Sequence, residues 1–129
     1  MGLDRNCQQI INLREQGNYF DYRCSDVDQW HQDSVKELAA WKWDLVACFS
    51  VLPYVMEPAR FLNYLSWLAP QVLIECQYAE DGYGFKWLKG DADMRKWLRD
   101  YWSKVTKLGE THIPERNKSR SIWLCEEAR

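Results

Sequence analysis

Apolar residues along this chain change their spacing from segment to segment, and these changes divide the chain into strands and helices. Runs or alternations typical of strands cover residues 2–4, 19–24, 43–49, 71–76, 105–111 and 120–125. The three-and-four spacing of helices covers residues 6–16, the segment from Val35 to Ala39, residues 58–69 and the segment from Met94 to Tyr101. Helix and strand therefore alternate until the last two strands, which follow each other directly.

Residues that break helices place several of the predicted boundaries. Gly17 ends the first helix, whereas Pro58 opens the third helix and Pro70 closes it. The run from Trp43 to Phe49 is almost continuously apolar, which predicts a strand buried on both faces.

The order of elements predicts an α/β fold, with a doubly wound, mostly parallel sheet that has helices on both faces. Between the last two strands there is no room for a crossover helix, so we predict a C-terminal antiparallel hairpin in which the penultimate or last strand is reversed. No internal repeat or linker interrupts the pattern. We therefore predict a single domain over residues 1–129.

Composition narrows the class of partner. With 47% hydrophobic and 28% charged residues the chain reads as globular, and its net charge of -2 predicts no nucleic-acid partner. Because no apolar run reaches ~18 residues and the first twelve residues mix charged and amide side chains, we predict no membrane association and a cytoplasmic location. The five cysteines are odd in number and lack a C-x-x-C pair, which predicts reduced core thiols and no metal site.

Polar residues follow four of the predicted strands, and ligands in such sheets bind beyond the carboxyl ends of strands. Asp4 suits the hydroxyls of a ribose, or the cap of the following helix; Asp26 suits an adenine amino group, or an ordinary turn. Ser50 begins a loop that is either part of a site or a simple strand-to-helix connection. The segment from Glu75 to Tyr78 is either a further site or the emergence of a strand into solvent.

In their order and spacing, these segments resemble the class I S-adenosylmethionine-dependent methyltransferases. That family has a G-[IV]-D strand end, then D-[AV], then an [FY]-D-L-V strand with an S-V-L-E-H-V loop, and a D-P-x-x-x-L helix start. The matching segments here are Gly2-Leu3-Asp4, Asp26-Val27, Trp43-Asp44-Leu45-Val46, Ser50-Val51-Leu52-Pro53-Tyr54-Val55 and Glu57-Pro58-Ala59-Arg60-Phe61-Leu62. With the hairpin included, the resemblance extends over nearly the whole chain.

The resemblance implies S-adenosylmethionine as the cofactor. It implies that Asp4 binds the ribose hydroxyls and Asp26 the adenine amino group, with Val27 adding a backbone contact. Phe49 and Ser50 would line the inner wall of the cofactor site.

The resemblance also places Tyr54 towards a small-molecule acceptor, as the candidate catalytic residue, where the family often has a histidine. Pro53-Tyr54 replaces the Glu-His pair of the usual loop, which removes the commonest candidate for a general base.

The family's glycine-rich turn is absent from this sequence. Members carry a strand and a G-x-G-x-G turn about twenty residues before the G-x-D segment, because glycine allows the backbone to approach the cofactor closely. Here Met1 stands where that unit would already have ended, and the G-x-G at Gly82-Tyr83-Gly84 is interpreted as a loop over the strand ends. Weak cofactor binding by the isolated chain is the expected consequence.

Two hypotheses follow from the missing glycines. The chain is a truncated methyltransferase domain that a partner chain or a longer protein completes, or it is a catalytically inactive subunit that uses the fold to bind proteins. In the family, the missing strand lies between the strands that here end at Asp4 and Phe49. Two such strands without their central neighbour predict a homodimer or a partner chain that completes the sheet.

Overall fold

The structure is a computed structural model, and it describes residues 1–16, 21–78, 85–113 and 118–129. Backbone contacts divide the chain into two compact units, residues 1–30 and 31–129. The described residues contain both helices and parallel and antiparallel strands, so the predicted α/β class is confirmed.

The first unit holds a two-stranded parallel sheet and one helix. Strand β1 (Gly2–Asp4) pairs with β2 (Tyr22–Cys24), and helix α1 (Cys7–Glu15) connects them along the chain. Asn6 caps α1, because its Oδ1 atom accepts a hydrogen bond from the backbone N–H of Gln9 at 3.3 Å. The predicted helix stop at Gly17 and the first residues of the predicted strand 19–24 lie outside the described residues.

The second unit contains the remaining helices and a four-stranded sheet. Its elements are α2 (Gln32–Ala39), β3 (Leu45–Cys48), α3 (Pro58–Leu68), β4 (Gln71–Cys76), α4 (Asp91–Leu98), β5 (Trp102–Ile113) and β6 (Lys118–Ala128). The strand order is β3-β4-β6-β5. Strands β3 and β4 are parallel, whereas β6 is antiparallel to both β4 and β5. The predicted terminal antiparallel pair is therefore present, and the last strand is the reversed one.

Helix α3 shows how the apolar spacing builds the core of this unit. Phe61, Leu62, Leu65 and Leu68 are all buried, as the three-and-four spacing predicts. Burying a side chain of this size contributes about 1.5–3 kcal/mol, so the face of α3 alone supplies a substantial part of the unit's stability. No helix in the described ranges is both long and apolar enough to cross a membrane.

The prediction of a strand buried on both faces over residues 43–49 is wrong. The strand is limited to β3, in which Cys48 is buried whereas Leu45 is 46% exposed; Phe49, directly after it, is 49% exposed. Within the described residues β3 pairs with β4 alone, so it is a terminal strand of its sheet. An apolar run in sequence does not distinguish a terminal strand from a central one.

The prediction of reduced core thiols is correct for three cysteines and wrong for two. Cys7 and Cys24 form a disulfide with their Cα atoms 4.9 Å apart, and both lie at the surface of the first unit. The pairing of β1 with β2 places the end of β2 beside the start of α1, a proximity that cysteine spacing alone does not reveal. Cys48, Cys76 and Cys125 are free and buried, and burial raises the pKa of both Cys48 and Cys125 to about 12.

Candidate functional site

Asp4 and Asp26 lie at the same end of the two-stranded sheet. Asp4 is the last residue of β1, and Asp26 follows the last residue of β2 by two positions. The backbone N–H of Ser25 donates to the carbonyl oxygen of Asp4 at 2.9 Å, which joins the two segments directly after the strands. The parallel register therefore brings the two predicted adenosine-binding carboxylates to one edge of the first unit.

Each of these carboxylates uses one oxygen to shape its own loop. Oδ1 of Asp4 accepts from the backbone N–H of Asn6 at 2.8 Å, and Oδ1 of Asp26 accepts from that of Asp28 at 3.1 Å. Asp26 thereby caps a short 3₁₀ turn, Val27–Gln29, while α1 is capped by Asn6 and not by Asp4. Within the described part of the chain, no hydrogen bond reaches Oδ2 of Asp4 or Asp26. One acceptor oxygen on each side chain is held in place and open to a ligand's donors.

Phe49, Ser50 and Tyr54 lie on the loop that follows β3 in the second unit. Ser50 has a φ of 56°, in the left-handed region that non-glycine residues rarely adopt. Tyr54 ends a 3₁₀ turn, Leu52–Tyr54, whose Leu52 is buried. Phe49, at the start of this loop, and Tyr54, near its end, are each about half exposed, so both aromatic side chains are accessible to solvent.

Ser50 belongs to a polar cluster, here called the Glu75 cluster, made of Ser50, Glu75, Gln77, Thr111 and Arg120, in which Glu75 and Gln77 are buried and Ser50 is exposed. The Ser50 hydroxyl donates to Oε2 of Glu75 at 3.0 Å and accepts from Nη1 of Arg120 at 2.5 Å. Thr111 donates to the other oxygen of Glu75 at 3.0 Å, and Arg120 forms an ion pair with Glu75 at 3.6 Å. With its amide oxygen turned to the guanidinium, Gln77 accepts from Nε and Nη1 of Arg120, each at 3.0 Å. These contacts hold Ser50 in its left-handed conformation.

A second group, here called the Asp91 cluster, contains Tyr78, Asp91, Lys107, Glu110 and Ser121. The phenol of Tyr78 donates to Oδ1 of Asp91, and Ser121 donates to the same oxygen at 2.7 Å. Lys107 bridges Oδ2 of Asp91 and Oε1 of Glu110, at 2.6 Å each. Residues of the two clusters are adjacent on β5, on β6 and after β4, so the clusters run side by side across these elements.

These contacts shift the pKa values of Asp91 and Tyr78 in opposite directions. Burial alone would raise the pKa of Asp91, but hydrogen bonds from Lys107, Tyr78 and Ser121 outweigh it and hold the pKa below its ordinary value of 3.8. Burial, together with the bond to Asp91, raises the pKa of Tyr78 above its ordinary range. At neutral pH Asp91 is therefore ionised and Tyr78 is its hydrogen-bond donor.

We expect Asp91 to make the fold sensitive to acid. Because its pKa is lower in the folded than in the unfolded chain, the stability it contributes is present above about pH 4 and is lost as pH falls through the folded pKa. Replacing Asp91 with asparagine should lower the free energy of unfolding at neutral pH by about 1 kcal/mol, since the carboxylate is partly exposed. Urea unfolding should show this difference shrinking near pH 3.

The matched control for this pH test is Asp33→Asn, which changes an exposed carboxylate in the first turn of α2. Its effect on the free energy of unfolding should be small both at pH 7 and near pH 3. A difference between the wild type and Asp91→Asn that is the same at pH 7 and near pH 3 would contradict the assignment.

The sequence pattern singles out the segment from Glu75 to Tyr78 but does not decide whether it belongs to a site. Within this segment Glu75 contacts Thr111 and Arg120, which lie on the antiparallel strands β5 and β6. The available signal was the presence of polar residues at the facing ends of two predicted strands.

Comparisons with known proteins identify the fold. Neither a protein-family model nor a curated protein matches the sequence. Among solved structures, the bifunctional kinase-methyltransferase WbdD matches with a TM-score of 0.69 at 20% identity, over 97% of this chain and 29% of that one. The N-terminal domain of EvdMO1, crystallised in the presence of SAH and D-fucose, matches with a TM-score of 0.66 at 15% identity, over 99% of this chain and 65% of that one.

A third similar structure is the N-methyltransferase NodS from Bradyrhizobium japonicum WM9, in complex with S-adenosyl-L-homocysteine. It matches with a TM-score of 0.63 at 13% identity, over 97% of this chain and 64% of that one. The chain spans less than two thirds of the length of each of the three proteins. At these identities the likeness establishes the architecture and not the activity. The chain has the fold of the class I S-adenosylmethionine-dependent methyltransferases.

Proposed function

We propose that this chain binds the adenosine part of S-adenosylmethionine and acts as a methyltransferase when another chain or segment supplies the glycine-rich strand. The observation that carries the proposal is the pair Asp4 and Asp26 at one end of β1 and β2, each with an oxygen open to a ligand. Two of the similar structures, EvdMO1 and NodS, were solved with S-adenosylhomocysteine, which supports the choice of ligand. A doubly wound single domain over residues 1–129 is part of the same proposal.

In the first unit the proposed roles follow from hydrogen-bonding capacity. Asp4 accepts from the ribose hydroxyls through Oδ2, and Asp26 accepts from the adenine amino group in the same way. Val27 contributes a backbone contact at the start of the 3₁₀ turn. Because Oδ1 of each aspartate already anchors its loop, the second oxygen needs little further ordering when the ligand binds.

In the second unit Phe49 and Ser50 form the proposed inner wall of the cofactor site, and Tyr54 faces a small-molecule acceptor. S-adenosylmethionine, when bound, would supply an electrophilic methyl group: a nucleophile of the acceptor would bond to the methyl carbon while the carbon–sulfur bond breaks and S-adenosylhomocysteine leaves. The chain's own contribution is positioning: the Glu75 cluster fixes Ser50, and the exposed phenol of Tyr54 is available to orient the acceptor. Tyr54 is the candidate catalytic residue.

A second candidate function is a catalytically inactive subunit that binds other proteins through this fold. Two features favour it: the 129 residues contain no G-x-G-x-G turn, and Pro53-Tyr54 stands where the family has Glu-His. Both candidates include a partner, either a second copy of this chain or a different one, and a cytoplasmic location.

Adenosine binding separates these functions. Ligand-observed NMR with adenosine should detect binding to the wild-type chain, and Asp4→Asn or Asp26→Asn should weaken it by about tenfold, because each removes a charge-assisted hydrogen bond. Asp21→Asn is the matched control, since Asp21 lies in the same unit and pairs with Arg23 at the surface. If all three variants bind adenosine like the wild type, the proposed site is wrong and the inactive subunit is favoured.

A further inference from the structure

A cavity of about 840 Å³ runs along the exposed side of helix α4. Its lining comes from α4, from the two residues that follow the helix and from the end of β6: Asp91, Ala92, Arg95, Lys96, Arg99, Asp100 and Arg129. Positions four apart on a helix lie on one face, so the α4 residues form two adjacent rows along the cavity. Met94 and Leu98, on the other side of the helix, are buried.

The cavity is positively charged in a chain whose net charge is -2. Four cationic side chains, Arg95, Lys96, Arg99 and Arg129, line it, against the two carboxylates Asp91 and Asp100. The charge of Asp91 is already matched by Lys107, which lies 2.6 Å away. Between residues that the structure describes, none of the four cations has a carboxylate oxygen within ion-pairing distance.

The helix dipole explains only part of this concentration of charge. Cations near the carboxyl end of a helix are favourable, which accounts for Arg95, Lys96 and Arg99 individually. The helix dipole does not account for Arg129, which follows β6 and also lines the cavity. The backbone N–H of Arg129 donates to the carbonyl oxygen of Tyr101 at 2.9 Å, which holds this residue beside the helix. Arg95 and Arg99 lie four positions apart and repel each other, a cost that an anion bound between them would offset.

One of the four cations is also fixed in orientation. The guanidinium of Arg95 lies over the indole of Trp123, 5.5 Å from the ring centre, and Trp123 is fully buried. A guanidinium held in this way offers its donors in a defined plane, which suits the paired oxygens of a phosphate group.

We infer that this cavity binds a small organic molecule carrying two or more phosphate groups. Its volume lies in the range of small-molecule sites, at about 300–1,000 Å³, and exceeds what a single inorganic phosphate fills. Arg95 and Arg99 act as forks for phosphate oxygens, while Lys96 and Arg129 supply point charges at the sides. This inference does not depend on methyl transfer, since none of these residues belongs to the proposed cofactor site.

Inorganic pyrophosphate is the probe for this site. Calorimetry should show saturable binding of one pyrophosphate per chain, weakened at least about tenfold between roughly 50 and 500 mM salt because the groups are exposed. The double substitution Lys96→Gln with Arg99→Gln should weaken binding by about tenfold or more. Arg99→Lys, which keeps the charge but loses the fork, should give a smaller loss.

The matched control is the double substitution Lys36→Gln with Lys86→Gln, which removes the same charge from exposed positions outside the cavity. It should leave pyrophosphate affinity within about twofold of the wild type, whereas an equal loss in both double variants means a diffuse charge effect and overturns the site. Absence of saturable binding to folded protein also overturns it. So does tighter binding, through the same residues, of a single-stranded oligonucleotide or of anionic lipid vesicles than of pyrophosphate.

Discussion

Replacing Arg120 with methionine is expected to lower the free energy of unfolding by about 3 kcal/mol, the largest loss we anticipate from a single charged residue. The side chains of Arg120 and Glu75 are only 17% and 11% exposed, so the substitution leaves a carboxylate without its cation in a poorly solvated place. Gln77 and Ser50 lose their donor at the same time. Equilibrium urea unfolding at neutral pH measures the change.

Lys104→Met is the matched control for this experiment. Lys104 pairs with Glu126 at 2.7 Å, a shorter distance than the 3.6 Å between Arg120 and Glu75, yet its side chain is 57% exposed. Water screens the exposed pair, so its loss should cost much less than the loss of Arg120. Similar losses in the two variants would show that the lower exposure of Arg120 and Glu75 does not strengthen their pairing. Adding Glu75→Gln to Arg120→Met should recover part of the loss, since no charge then remains unpaired.

The chain is expected to associate at micromolar concentration, as a dimer or a larger species. Within the described residues β1 pairs with β2 alone and β3 with β4 alone, so each offers unpaired backbone groups along one side. Leu45 is an exposed apolar side chain on β3, which adds hydrophobic area for a partner strand to cover. Light scattering coupled to size-exclusion chromatography measures the mass directly.

Lysine on a terminal strand opposes pairing with another chain, so Leu3→Lys and Leu45→Lys should each shift the protein towards monomer. Met56→Lys is the matched control, because Met56 is 79% exposed and lies outside every strand. A clean monomer for the wild type, or an equal shift in all three variants, would argue against completion of the sheet by another chain.

Local sequence signals predicted most of the elements. Pro58 and Pro70 bound α3 because proline fits the first turn of a helix and disfavours its continuation, and both effects act within a few residues. The predicted hairpin strands 105–111 and 120–125 are longer in the structure, where β5 and β6 pair over most of their length. Polar residues at the ends of β5 and β6 interrupt the apolar alternation before the backbone pairing stops, so the sequence pattern predicts strands that are too short.

Features that depend on distant contacts were not predictable in this way. The exposed face of β3 follows from its place in the strand order, and the disulfide between Cys7 and Cys24 follows from the pairing of β1 with β2. The sequence leaves open whether the segment from Glu75 to Tyr78 is a site or a strand emerging into solvent, because the partners of Glu75 lie in the terminal strands.

The candidate site likewise has positions that local sequence signals predict and roles that they do not establish. Asp4 and Asp26 were found because strand ends and turns are local features, and the structure places them at one edge. Their ribose and adenine roles, and those of Val27, Phe49, Ser50 and Tyr54, stay predictions. The G-x-G at Gly82-Tyr83-Gly84 and its interpretation as a loop over the strand ends lie outside the described residues.

Calorimetric titration with adenosine and with S-adenosylhomocysteine tests the proposed site most directly. If the chain holds the adenosine part through Asp4 and Asp26 and contributes nothing to the amino-acid end, the two ligands should bind with dissociation constants within about threefold of each other. Both constants should be weaker than about 100 μM, or roughly -5.5 kcal/mol. Binding of S-adenosylhomocysteine in the low micromolar range, about -8 kcal/mol, with adenosine far weaker, would contradict this, because the chain would then hold the amino-acid end without a glycine-rich turn.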